Sequence, residues 1–190
     1  MRHRHNGEVE DDFEAVIGAA RAREPWALGH LYTTLAPAVA GFFRLQRAAE
    51  PEDLTSEVFV GVLRSLPAFQ GDEAHFRSWV FTIAYRRLAD ERRAASRRPA
   101  PRPLDEVPEP VASADVEADV ARLLATRRVR ELCATLPPAQ RDVLLLRLVG
   151  RLTVDEIAAL MGRSRGAVKA LQRRGLATVT AVVAERGVPL

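Results

Sequence analysis

The chain has 190 residues, 47% of them hydrophobic, with 28 Lys+Arg against 25 Asp+Glu and a formal net charge of +3. This length supplies one large domain or two small ones, and the apolar share is enough for packed cores. No apolar run approaches the ~20 residues of a membrane span, and the start MRHRHNGEVEDDFE lacks the h-region of a secretory signal. The single cysteine, Cys133, excludes an internal disulfide, so a protein of the reducing cytoplasm is expected, with no membrane insertion. His3 and His5 have no partner at ligand spacing, and neither a metal nor a cofactor is expected. Charge is unevenly placed. Residues 1–114 hold 15 Arg against 17 acids, net −2, whereas residues 115–190 hold 13 cations against 8 acids, net +5. That asymmetry points to a polyanion partner for the C-terminal part, and the N-terminal part can meet something basic.

Asp11 to Arg23 reads as a short amphipathic helix with Phe13, Val16, Ile17 and Ala20 on one side. Trp26 to Arg47 continues the pattern through Leu28, Leu31, Tyr32, Leu35, Val39, Phe42 and Phe43, with Pro37 predicted to break or kink it. This second segment is expected to be plain core. The next helix opens at Pro51 and buries Leu54, Val58, Val62 and Leu66, with Phe59 and Leu63 widening the stripe. Asp53 and Glu57 lie one turn apart on another face, with Glu52 beside them. Acids in a first turn suit the helix dipole. They equally suit a patch that docks a basic partner helix, and the pattern alone does not choose.

LPAFQGDEAH, from Leu66 to His75, reads as a loop. The helix that follows, FRSWVFTIAYRRLADERR, packs Phe76, Val80, Ile83 and Ala84 inward. At ~100° per residue its opposite arc holds Thr82, Tyr85, Arg86, Ala89, Arg92 and Arg93, which is basic, carries a ring and has no acid. Such a face suits an unpaired nucleic-acid strand, although a solvated arginine face is common. Phe69 and Phe76 flank the loop and could also stack, with core packing the expected role of Phe76.

Five prolines between Ser96 and Ala114 mark a linker. It separates a first helical domain, residues 11–95, from a second, residues 115–186. In the second, Asp115 to Thr135 is a helix with Cys133 on its apolar face, and Pro137-Pro138 ends it and opens another over Ala139 to Val149. LTVDEIAALMGRSRGAVKALQRRGL, from Leu152 to Leu176, then reads as two helices joined by a tight turn. Thr153 and Glu156 form a capping box, Ile157, Ala158 and Met161 an apolar face, and Gly162 the stop. Ser164 caps the second helix, whose buried stripe is Val168, Leu171 and Leu176. Gly166, Lys169, Ala170, Arg173 and Arg174 lie opposite, so a helix-turn-helix can offer small and cationic residues to a major groove. Arg163 sits where this motif usually has an apolar residue and is expected to point outward. The fold class is all-α, two small helical domains. No strand alternation, phosphate loop, internal repeat or catalytic constellation occurs, so no enzyme is expected. Ala184 to Leu190 reads as a short tail, and control by an appended domain is not expected.

EPEDLTSEVFVGVLRSLPAF, FRSWVFTIAYRRLADERR, the Pro-rich linker and LPPAQRDVLLLRLVGRLTVDEIAALMGRSRGAVKALQRRGLATV occur in that order. The ordered set resembles a bacterial RNA polymerase sigma factor of the sigma-70 family, extracytoplasmic-function (ECF) group, from about Leu28 to Val183. The resemblance implies a protein that binds core RNA polymerase and directs it to promoters. It places Asp53, Glu57 and Glu52 on the core polymerase. It places Phe69, Gln70 and His75 of the loop, and Arg77, Trp79, Thr82, Tyr85, Arg86, Arg92 and Arg93 of the helix, on the −10 strand. Lys169, Ala170 and Arg173 fall at positions that read the −35 duplex, beside Gly166, with Arg165 and Arg174 nearer phosphates. An anti-sigma factor is the further partner it suggests. The rival reading is an autonomous helix-turn-helix regulator, which predicts a dimer and a palindromic site.

Overall fold

The computed structural model describes residues 13–97 and 127–185, and every regular element among them is helical. Helix α1 spans Phe13–Arg21, α2 Pro25–Leu45, α3 Pro51–Ser65 and α4 Glu73–Ser96, with a 3-10 turn over Leu66–Ala68. After the linker, residues 127–135 form α5, followed by α6 Pro138–Leu148, α7 Val154–Met161 and α8 Arg165–Glu185. The prolines at the start of α2, α3 and α6 each occupy the first turn, where a missing N–H costs nothing.

The first group packs α2 against α3 and α3 against α4, with α1 on α2. Its centre is aromatic: Phe42, Phe43, Phe76 and Phe81 are at most 1% exposed. Phe42 meets Phe81 edge-on at 5.7 Å and Phe43 at 5.6 Å, geometries that suit the ring quadrupoles. The expected break at Pro37 does not occur, and α2 runs through it. An interior proline costs about 3 kcal/mol. On either side, however, Leu31, Leu35, Val39, Phe42 and Phe43 are buried, each worth ~1.5–3 kcal/mol. Packing wins.

Two further expectations change. The fourth helix begins at Glu73, inside the segment read as loop, because Asp72 caps it by accepting from the His75 N–H at 2.9 Å. Gly71, at φ 138, makes the preceding turn. Leu63 and Leu176, both assigned to buried stripes, are instead 45% and 47% exposed. The Pro-rich linker lies outside the described residues, except that Ser96 still belongs to α4 and Arg97 caps its end.

In the second group α6 and α7 both pack on α8. The capping box forms as read: the Glu156 N–H donates to Thr153 Oγ1 at 3.2 Å, and the Thr153 N–H donates to Glu156 Oε2 at 2.6 Å. Gly162 is left-handed at φ 61, and the Arg163 N–H closes the turn on the Ala158 carbonyl at 2.9 Å. Ser164 caps the next helix by accepting from the Ala167 N–H at 3.2 Å. The α8 stripe continues from Val168 and Leu171 to Gly175, not Leu176. A Cβ on Gly175 would lie 2.9 Å from Leu144 Cδ1, so the Leu144 side chain of α6 packs directly on the α8 backbone there.

The two groups share one apolar cluster, which runs from Phe81 and Leu88 to Leu146 and Leu152. The turn between α6 and α7 sits directly on α4: a Cβ on Gly150 would come within 3.1 Å of Phe81 Cβ.

Candidate nucleic-acid interface

The loop before α4 closes over three rings. Phe69 is only 6% exposed. It stands edge-on to Phe76 at 5.2 Å and lies tilted on Trp79 at 5.1 Å, and Phe76 and Trp79 are 5.7 Å apart. Phe69 is therefore part of the wall rather than a free stacking surface, a correction to the expectation that it could stack on a strand. Its three-ring cluster removes more apolar area from water than a lone exposed ring would. Against this wall opens a cleft of about 350 Å³ lined by Gln70, His75, Ser78, Trp79 and Thr82, together with Glu156 of α7. That is the small end of the range for ligand sites. The cleft pairs an aromatic wall with polar side chains. His75 Nδ1 lies 2.7 Å from Asp72 Oδ1, and the bonds from His75 hold the Asp72 carboxyl below its ordinary pKa.

Along α4 the basic arc is only partly free. Arg86 and Arg93 are exposed, with Arg93 donating to Asp90 at 2.5 Å. Arg92 Nη1 instead donates to both oxygens of Asp142 at 3.0 Å, and its Nη2 donates to Gln46 Oε1 at 2.9 Å. Tyr85 donates its hydroxyl to Asp142 Oδ2 at 3.3 Å. Burial, and then the Asp142 charge, push the Tyr85 pKa up to about 12. Arg77 donates from Nε and Nη2 to the Val149 carbonyl at 3.0 and 2.8 Å, with its guanidinium 5.5 Å from the centre of the Phe81 ring. The arc read as free of acids thus meets two: Asp90 of α4 itself, at Arg93, and Asp142 of α6, at Arg92 and Tyr85.

On α3, Glu52 pairs with Arg44 at 2.6 Å and Glu57 with Arg87 at 3.6 Å, while Asp53 has no ion pair among the described residues. All these groups are well exposed, and such pairs contribute ~0–1 kcal/mol, so a partner can displace them. Val60 and Leu63, 46% and 45% exposed, extend this face with apolar surface.

In the helix-turn-helix, Arg165, Gly166, Lys169, Arg173 and Arg174 are exposed together, and Ala170 is half-buried at the edge of the face. Arg165 Nε lies 2.6 Å from Asp155 Oδ1, which ties the start of α8 to α7. Arg163 points to solvent. No group of His, Cys, Asp and Glu able to hold a metal occurs among the described residues, and none of their helices is long and apolar enough to cross a membrane.

Residues 31–98 match the family model of sigma-70 region 2, and residues 126–179 match that of sigma-70 region 4. The ECF RNA polymerase sigma factor ShbA of Streptomyces griseus is 38% identical over 134 residues, covering 69% of this chain and 70% of the relative. The ECF RNA polymerase sigma factor SigD of Mycobacterium tuberculosis is 32% identical over 170 residues, covering 86% and 80%. The chain belongs to the ECF sigma factors. In solved structures it resembles CnrH in the complex with the cytosolic domain of CnrY, with a TM-score of 0.60 at 23% identity over 92% of this chain and 99% of that one. That likeness shows the fold alone.

Within this sigma factor, the region 2 match takes in the acidic α3 face, the ring-walled cleft and the basic arc, and the region 4 match takes in the helix-turn-helix. Sequence reasoning missed Asp142, Gln46 and Glu156 as neighbours of these surfaces. Asp142 is a lone acid in an apolar helix at 4% exposure, and that is the one local sign it carried.

Proposed function

We propose that this ECF sigma factor docks on core RNA polymerase through Glu52, Asp53 and Glu57 of α3 and reads promoter DNA with two separate surfaces. The observation that carries this reading is the ring-walled cleft at the head of the basic α4 arc, on one chain with an exposed cationic helix-turn-helix. At the −10 element a strand is held with a base against Trp79, among Gln70, His75 and Thr82. Stacking of this kind is worth ~1–3 kcal/mol per base. Arg77, Arg86, Arg92 and Arg93, with Tyr85, follow the backbone. At the −35 duplex, Lys169 and Arg173 meet base edges, Ala170 reads by apolar contact or close approach, and Arg165 and Arg174 hold phosphates around Gly166. The domains are residues 11–95 and 115–186. Each binds weakly alone, and the polymerase raises their effective concentration at one promoter.

The protein catalyses no step itself, needs no cofactor and works in the cytoplasm, where an anti-sigma factor is a further candidate partner. The test is transcription by purified core polymerase on a fragment library, with and without the protein, with 5′ ends mapped. New starts sharing two spaced upstream motifs are expected. They should be lost in Asp53→Arg or Glu57→Arg while DNA binding is retained. Absence of new starts, with a palindrome protected by the free protein, would replace this reading by an autonomous regulator.

A further inference from the structure

The packing of the first group leaves a seam. Helix α1 lies on α2 and on the 3-10 turn, while α4 lies chiefly on α3. Between α1, α2 and the first turns of α4 there is a cavity of about 330 Å³, on the scale of a small-ligand site. Its apolar lining is Phe13, Val16, Leu31, Leu35 and Phe76, with Phe13 and Phe76 in tilted contact at 5.7 Å. Its polar lining follows from helical spacing. Leu31 and Leu35 are one turn apart on α2, as are His30 and Thr34, so α2 offers a polar row beside an apolar one. On α4 the same spacing brings Glu73 and Arg77 to the cavity, with the small Ala74 beside them. Arg151, from the turn before α7, adds a second guanidinium.

Charge at this cavity is unbalanced. Two guanidiniums, Arg77 and Arg151, stand against one carboxylate, Glu73. Burial, and then the Arg151 charge, lower the Arg77 pKa, and Glu73 opposes them. Arg77 gives Nε and Nη2 to the Val149 carbonyl, which leaves Nη1 outside that bond. Arg151 is exposed and makes no ion pair among the described residues. Water serves such a space poorly, since it finds polar partners among the charged groups but none on the ring and leucine floor. A molecule with an apolar body and one anionic head satisfies both.

We propose that this cavity binds a small aliphatic carboxylate, its chain on Val16, Leu31, Leu35 and Phe76 and its head on Arg77 and Arg151. A carboxylate offers the acceptors that guanidiniums donate to, whereas a neutral head leaves the cationic excess in place. The same charges disfavour a cationic ligand. Each methylene that leaves water tightens binding about fourfold, so affinity grows with chain length until the cavity is full. Apart from Arg77, no lining residue belongs to the surfaces assigned to DNA or to polymerase. The site is therefore additional to the function proposed above.

The experiment is a saturation-transfer NMR titration of the full-length protein with octanoate and with octanamide, which has the same chain and a neutral head. Octanoate should bind about fivefold tighter than octanamide. Arg151→Asn removes one cation at a position of φ 60, where asparagine is tolerated. It should erase most of that preference and leave octanamide within about twofold. Thr34→Trp puts an indole into the cavity from an exposed position and should weaken both probes about tenfold, the loss of roughly two buried methylenes. Ala74→Leu narrows the cavity from the α4 side and should act in the same direction. Circular dichroism checks that each variant keeps its helices. Equal affinity of the two probes for the wild type overturns the anionic assignment. Unchanged affinity for both probes in folded Thr34→Trp and Ala74→Leu places the chain elsewhere and overturns the site. Absence of saturation transfer from the wild type to octanoate overturns it too.

Discussion

Tyr85 shows how one residue's environment reports on the surface around it. Burial and the neighbouring Asp142 carboxylate disfavour the phenolate, so the folded protein holds this proton more tightly than the unfolded chain, up to about pH 12. The resulting stability is fully present below pH 10, the ordinary tyrosine value, and is lost as pH rises toward 12. Ultraviolet titration of the wild type minus Tyr85→Phe should therefore show a phenol ionising near pH 12. In Asp142→Ala the same difference should move toward 10. A Tyr85 that titrates at its ordinary value in the wild type would mean that the hydroxyl is in water and α6 does not cover it.

At the scale of the element, close approach of helices decides what local pattern leaves open. On α8 the apolar stripe points as well to Leu176 as to Gly175, yet the structure buries the glycine against α6 and leaves the leucine 47% exposed. A Cβ at position 175 would lie 2.9 Å from Leu144 Cδ1 and 3.2 Å from Leu144 Cγ. Alanine gains ~0.5–1 kcal/mol of helix preference, which roughly offsets the shift it forces on Leu144. Gly175→Val puts a Cβ and two methyls into the same gap and should cost about 1–3 kcal/mol. Urea unfolding of the two variants checks this. Equal stability of Gly175→Val and wild type would show that the crossing is looser than described. The same contest explains α2, where buried side chains on both sides of Pro37 hold the helix through a residue that favours its end.

For the whole molecule, the contact to test is the shared apolar cluster between the two helical groups, and whether it persists on the polymerase. Dyes on Ser65→Cys of α3 and Thr180→Cys of α8, both exposed and away from the faces assigned to DNA, report the distance between domains in a Cys133→Ala background. Energy transfer should be high in the free protein and fall when core polymerase is added. In Asp53→Arg, which should not dock, it should stay high. Transfer that is unchanged by a polymerase shown to bind would mean that the closed arrangement persists on the enzyme.

The sequence by itself determined whatever depends on neighbours three or four residues apart. Thr153 with Glu156, Gly162 at the turn, Ser164 before α8 and Pro138 opening α6 are local bonds and local backbone preferences, so they are legible without a fold. Helical periodicity and the order of the motifs likewise sufficed for the all-α class and the family. The ends of α1 and α2 were less legible, because Arg23 and Arg47 take the left-handed positions, at φ 64 and 60, where glycine would have signalled a stop. Only the tertiary structure decided that Phe69 is wall and not free ring, that Leu63 faces outward and that Gly150 meets Phe81. It also set Asp142 against Arg92 and Tyr85, residues 50 and 57 positions away along the chain. These are contacts between surfaces that local pattern treats as equally free, and the choice between them rests on which apolar area and which charges meet when helices distant in sequence pack together.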